Sequence, residues 1–128
     1  MCKQLEHGKN IHLVLYDREL ENQLTKFLHD YSSNLKVFNH VSKFLNEPLS
    51  QAPACLITTL DLSEGDGMSL IKRVRSNGLS IPVVVVATDD DDVYSAVKAM
   101  QAGAADFIQR PIMERDFVER IDKIVKKS

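Results

Sequence analysis

The chain has 128 residues, 44% of them apolar and 27% charged, a composition that suits one globular domain with a buried core. Its net charge of −2 excludes the bulk electrostatics of a nucleic-acid binder, and no apolar run is long enough to cross a membrane. No signal peptide is recognisable and two cysteines, Cys2 and Cys55, do not make a disulfide framework, so a cytoplasmic location is expected.

Residues 1–10 are polar and are expected to form a flexible segment ahead of one domain over residues 11–126. His12 to Tyr16 alternates and reads as a first strand. Leu20, Leu24, Phe27 and Leu28 then make the stripe of an amphipathic helix. Leu35 to Phe38 is a short second strand. Val41, Phe44 and Leu45 predict a short helix closed by Pro48. Ala54 to Thr59 is the third strand, with Cys55 as a buried packing residue. Met68, Leu70, Ile71 and Val74 mark a third helix that stops near Gly78. Ile81 to Ala87 is the fourth strand, and its β-branched run suits a strand buried on both faces of a parallel sheet. Val93, Val97 and Met100 recur at helical spacing until Gly103, and Ala104 to Ile108 is the fifth strand. Phe117, Ile121, Ile124 and Val125 form the stripe of a last helix. Lys123, Lys126 and Lys127 near its end complement the helix dipole.

Five strands alternating with five helices predict an open α/β sheet covered on both faces. In such sheets ligands bind beyond the carboxyl ends of the strands. The positions there are Tyr16 and Asp17, Thr59, Ala87 and Thr88, and Arg110. The four histidines show no metal-ligand spacing. There is no glycine-rich phosphate loop and no placed nucleophile–base set. The run Asp89 to Asp92 borders these positions, but adjacent carboxylates cannot all converge on one ion. It reads instead as an acidic cap on the following helix.

One stretch has a specific relative. Ala99 to Pro111 reads AMQAGAADFIQRP, which resembles the pattern AM-x-AGA-x-DF-I-x-KP of the receiver domains of bacterial two-component response regulators. The similarity extends from Leu13 to about Val125. It implies a flavodoxin-like (βα)5 fold with five parallel strands, doubly wound, in the order 2-1-3-4-5. It also implies an acidic pair holding Mg²⁺ after the first strand, a phospho-accepting aspartate ending the third, a hydroxyl residue ending the fourth, and a lysine before proline after the fifth. A carboxylate attacks phosphorus there while Mg²⁺ and lysine neutralise the oxygens.

Laid onto the chain, that pattern is depleted. Tyr16 replaces one carboxylate of the pair and Asp17 keeps the other. The family's aspartate stands eight residues before a glycine that precedes an apolar residue. Here that glycine is Gly67, and counting back gives Thr59, which cannot form an acyl phosphate. Asp61 lies two positions further on, and making it the acceptor leaves only six residues to Gly67. Ser63 stands at a usual proline. Counting from Pro82 puts Ala87 at the hydroxyl position, and counting back from Arg110 puts Thr88 there. Arg110 keeps the lysine's charge but as a planar fork. It is expected to reach across the pocket toward Asp17 or Asp61, and its bond to Pro111 is expected to be cis as in the family. Phe107 matches the family's switching aromatic and reads equally as a half-buried strand residue.

The resemblance therefore implies a degenerate receiver, not an enzyme. It would be a phosphorylation-independent signalling or dimerisation module regulating an attached or partner transcription effector. No cofactor is expected, and Mg²⁺ binding through Asp17 would be weak. Association is expected through helix four, strand five and helix five, with Val93, Val97, Met100, Phe107 and Phe117 on that face. A histidine kinase or a DNA-binding effector domain would be partners, without direct contact to nucleic acid or membrane. The alternatives are a phosphorelay receiver using Asp61 and a flavodoxin-like cofactor-binding enzyme.

Overall fold

The computed structural model describes residues 10–32, 34–46, 53–60, 67–87 and 93–127. The elements alternate throughout: β1 (Ile11–Val14), α1 (Arg18–Leu28), β2 (Leu35–Phe38), α2 (Val41–Leu45), β3 (Cys55–Thr58), α3 (Gly67–Ser76), β4 (Val83–Val86), α4 (Val93–Ala102), β5 (Asp106–Ile108) and α5 (Glu114–Lys127). All strand pairs are parallel, in the order β2-β1-β3-β4-β5, as expected for a flavodoxin-like receiver fold. Residues 1–9 of the expected flexible segment lie outside the described residues. Asn10 is tied into the sheet, since its carbonyl accepts the Ala54 N–H at 2.8 Å.

Period-two alternation sorts the strands between two cores. Ile11, Leu13, Cys55, Ile57, Val84 and Val86 face one side with Leu20, Leu24 and Leu28 of α1 and Phe117, Ile121 and Val125 of α5. Val14, Leu56, Val83 and Val85 face the other with Val41 and Phe44 of α2, Leu70, Ile71 and Val74 of α3, and Ala99 of α4. His12 is buried on the second side, edge-on to Phe38 and Phe44 with ring centroids 5.3 and 6.0 Å away. The burial of Cys55 follows the sequence reading and pushes its thiol up to about 12.

Local signals set the helix ends. Asp17 caps α1, its Oδ1 accepting the N–H groups of Glu19 at 2.9 Å and Leu20 at 3.3 Å. Gly78 and Gly103, with φ of 78° and 116°, take the left-handed position after α3 and α4. Each closes a Schellman turn: Leu79 donates to Val74 O after α3, and Ala104 donates to Ala99 O after α4. The expected stop of α2 at Pro48 lies outside the described residues; the helix ends at Leu45. The first strand is shorter than its alternation suggests. It ends at Val14, and Tyr16 lies in the turn, 62% exposed.

Candidate functional site

The sheet register brings the sequence-marked positions to one edge. Val14 pairs with Thr58, Thr58 with Val85, and Val86 with Ile108, so the strands end nearly level. Leu15 to Asp17, Thr59, Ala87 and Arg110 therefore all leave the sheet at its carboxyl end. Asp61, Thr88 and Asp89 to Asp92 lie outside the described residues.

Thr58 and Thr59 are both buried. The Thr58 hydroxyl donates to Val14 O on β1 at 2.8 Å, so it serves the strand junction. Thr59 sits directly beneath the start of α3. The Gly67 N–H donates to Leu60 O at 3.0 Å, and a Cβ on Gly67 would overlap the Thr59 carbonyl oxygen. Gly67 thus has a physical reason to lie eight residues after Thr59, because only a residue without a side chain lets α3 approach the Thr59 backbone this closely.

Asp17 is the one carboxylate of the connection between β1 and α1, and its Oδ1 is engaged by two N–H groups of its own helix. Tyr16 offers no carboxylate. Among the described residues no group of three or more histidine, cysteine or acidic side chains converges as a metal site. Mg²⁺ is usually held by one or two carboxylates beside phosphate oxygens, and of the acidic pair expected after the first strand only Asp17 is a carboxylate.

Arg110 does not reach across to Asp17. Its Nε donates to Ala87 O at 2.9 Å, and among the described residues no ion pair joins it to Asp17. The sheet order gives the reason. β4 neighbours β5, whereas β1 is three strand spacings away, about 14 Å at ~4.8 Å each, and Asp17 is already held as a helix cap. The Arg110–Pro111 bond is cis, as expected.

The expected interaction face is divided. Val93, Val97 and Met100 on α4 are 70%, 47% and 46% exposed, and Tyr94 beside them is 66% exposed. Phe107 is half-buried against the second core. Phe117 is not on this face: it is wholly buried in the first core, 6.2 Å from the Phe27 ring. It opens the inward stripe of α5 together with Ile121 and Val125, so it cannot also point outward. The outward side of α5 carries Arg120, whose Nη1 donates to both carboxylate oxygens of Asp106 on β5 at 3.1 and 3.2 Å and whose Nε donates to Asp116 Oδ2 at 3.0 Å. Burial works against its charge, but the two carboxylates outweigh that and raise its pKa.

The sequence reading passed over Tyr94 and Arg75. A usable signal for Tyr94 was present. Ser95, Ala96, Ala99 and Ala102 are the small residues of α4, and a helix that lies close to its neighbours puts them inward and its large residues outward. Arg75 offered no local signal of its tie to α4, because Gly103, whose carbonyl it bonds there, is remote in sequence.

A family description, "Response regulator receiver domain", matches residues 10–122. The chain belongs to the response regulator receiver domain family. Among curated relatives, the receiver is 28% identical over 116 residues to the response regulator protein TmoT of Ectopseudomonas mendocina, covering 91% of this chain and 52% of that protein. It is 26% identical to the transcriptional regulatory protein CssR of Bacillus subtilis (strain 168), covering 91% and 51% respectively. The chain thus spans about half the length of these relatives. The solved structure of a response regulator receiver protein from Pseudoalteromonas atlantica superposes with a TM-score of 0.81 at 27% identity, covering 91% of this chain and 97% of that one. The receiver fold is thereby shown. Among the described residues no helix is long and apolar enough to cross a membrane.

Proposed function

We propose that this receiver domain works without aspartyl phosphorylation, as an interaction module in transcription control. The observation that carries the reading is Thr59. It leaves β3 at the level of the other strand ends, buried under Gly67, and the count back from Gly67 assigns it the acceptor position of the family pattern. A threonine hydroxyl there needs a base to become nucleophilic and yields no acyl phosphate. Two neighbours support the reading. Asp17 is committed to capping α1, and Arg110 is bonded to Ala87 O. The match covers only about half the length of the regulators named above, which supports an attached or partner effector that the receiver controls. The exposed apolar face of α4 would make the contact, either with that partner or with a second copy.

Intact mass after incubation with acetyl phosphate and Mg²⁺ tests the reading. No phosphoryl gain is expected, and Thr59→Asp alone should not restore one, because Tyr16 and Arg110 still deny the metal and the phosphoryl oxygens their places. A stoichiometric gain of one phosphoryl group, lost in Asp61→Asn, would overturn the proposal in favour of Asp61 as acceptor. Calorimetry should find Mg²⁺ binding weak, with little change in Asp17→Asn.

A further inference from the structure

Helix α4 presents an unusual balance. Its four large apolar residues, Val93, Tyr94, Val97 and Met100, face solvent, while its inward side is built of Ser95, Ala96, Ala99 and Ala102. Only Ala99 is fully buried. A methyl side chain gives little apolar area to hold a helix against a sheet, so its own packing anchors α4 weakly.

The missing anchorage comes from outside the helix. Arg75, near the end of α3, extends its guanidinium between two turns. Nη1 donates to Ile81 O at 2.8 Å and to Leu79 O at 3.3 Å in the connection from α3 to β4, and Nη2 donates to Gly103 O at 2.8 Å in the turn that ends α4. The fit is close: a Cβ on Gly103 would lie 3.1 Å from Arg75 Nε and 3.5 Å from its Cγ. Gly103 therefore serves twice, taking φ of 116° and leaving room for the arginine stem. The planar guanidinium meets the two turns with two separate nitrogens in a fixed fork, a geometry that the single nitrogen of an ammonium does not reproduce.

We infer that Arg75 is the positioning residue for α4. By tying the Gly103 turn to the α3–β4 connection, it sets the pose in which the Val93, Tyr94, Val97 and Met100 face is displayed. The consequence for partner binding rests on the proposed role of that face. The pose itself does not.

Amide hydrogen exchange on the full chain, read by mass spectrometry, tests this. In Arg75→Ala, amides of residues 97–104 should exchange about tenfold faster, the effect of losing one charge-assisted hydrogen bond to a locally opening segment. The strands β1 and β3 should change less. Arg75→Lys should resemble Arg75→Ala, because charge and stem without the fork do not bridge the two turns. Arg75→Lys also carries the test should Arg75→Ala fail to fold. Unchanged exchange over residues 97–104, a rise only in step with the strands, or full protection in Arg75→Lys would each overturn the inference. Sedimentation of the wild-type chain reads the face separately. Loosened α4 exchange in a chain that never associates would leave the positioning role standing and remove the role of the face in self-association.

Discussion

Replacing Gly67 by alanine puts the packing at the Thr59 position to a direct test, because the sign of the effect is at stake. Elsewhere in a helix alanine is favoured over glycine by up to about 1 kcal/mol. Here the added Cβ would overlap the Thr59 carbonyl oxygen, and it would lie 3.0 Å from Leu60 Cα and from the Thr59 carbonyl carbon. All three atoms are backbone, so no side chain can swing away. The start of α3 must move off the end of β3, straining the 3.0 Å bond from Gly67 N–H to Leu60 O. Overpacking of this kind costs about 1–3 kcal/mol, and a lost hydrogen bond about 1 kcal/mol more. The expected balance is a destabilisation of about 1–3 kcal/mol. For a domain of this size that lowers Tm by roughly 4–10 °C. Urea and thermal melts followed by circular dichroism would measure it. Gly78 supplies the control. It has φ of 78° and nothing within 4 Å of a built Cβ, so Gly78→Asn, which tolerates that backbone, should stay within about 1 kcal/mol of wild type. A Gly67→Ala protein as stable as wild type, or more so, would refute the close approach of α3 to Thr59 and weaken the placement of Thr59 itself.

Three further outcomes follow from the geometry. The Tyr31 hydroxyl donates to Asp122 Oδ1 at 2.8 Å and Lys126 pairs with the same carboxylate at 3.1 Å. Burial pushes that carboxyl up, but these partners outweigh it and hold it below the usual range. A folded-state value below the unfolded one stabilises at neutral pH, and the contribution is lost as pH falls from about 4 through the folded value. Tyr31→Phe should therefore cost about 0.5–1 kcal/mol in melts at pH 7, allowing for partial exposure, with a penalty that shrinks below about pH 4. In a Cys2→Ser background Cys55 should resist Ellman's reagent at pH 8 until denaturant is added, since its thiol is buried and pushed up to about 12. Val97→Asp, at a position 47% exposed, should change stability by no more than about 0.5 kcal/mol while abolishing any self-association seen by sedimentation.

Much of this fold is local and was legible in the amino-acid order. The valine run of β4, the Leu20, Leu24 and Leu28 stripe under the Asp17 cap, and the glycines after α3 and α4 each act over a few residues, through sterics and periodicity that the chain carries anywhere. The strand-end positions of the site followed from the same regularity, because level parallel strands bring Thr59, Ala87 and Arg110 to one edge wherever the pattern recurs. What those residues bond to was decided by the tertiary structure. Arg110 takes Ala87 O because β4 is its neighbour and β1 is three strands away, a fact of sheet order that its own sequence surroundings do not contain. Asp17 turns its Oδ1 back onto the first N–H groups of its own helix. Phe117 points inward and the large residues of α4 outward for a related reason. A stripe of apolar residues records that a helix has two sides, but only the surface packed against it selects the side that is buried. On α5 that surface receives Phe117, and on α4 it admits little more than alanine.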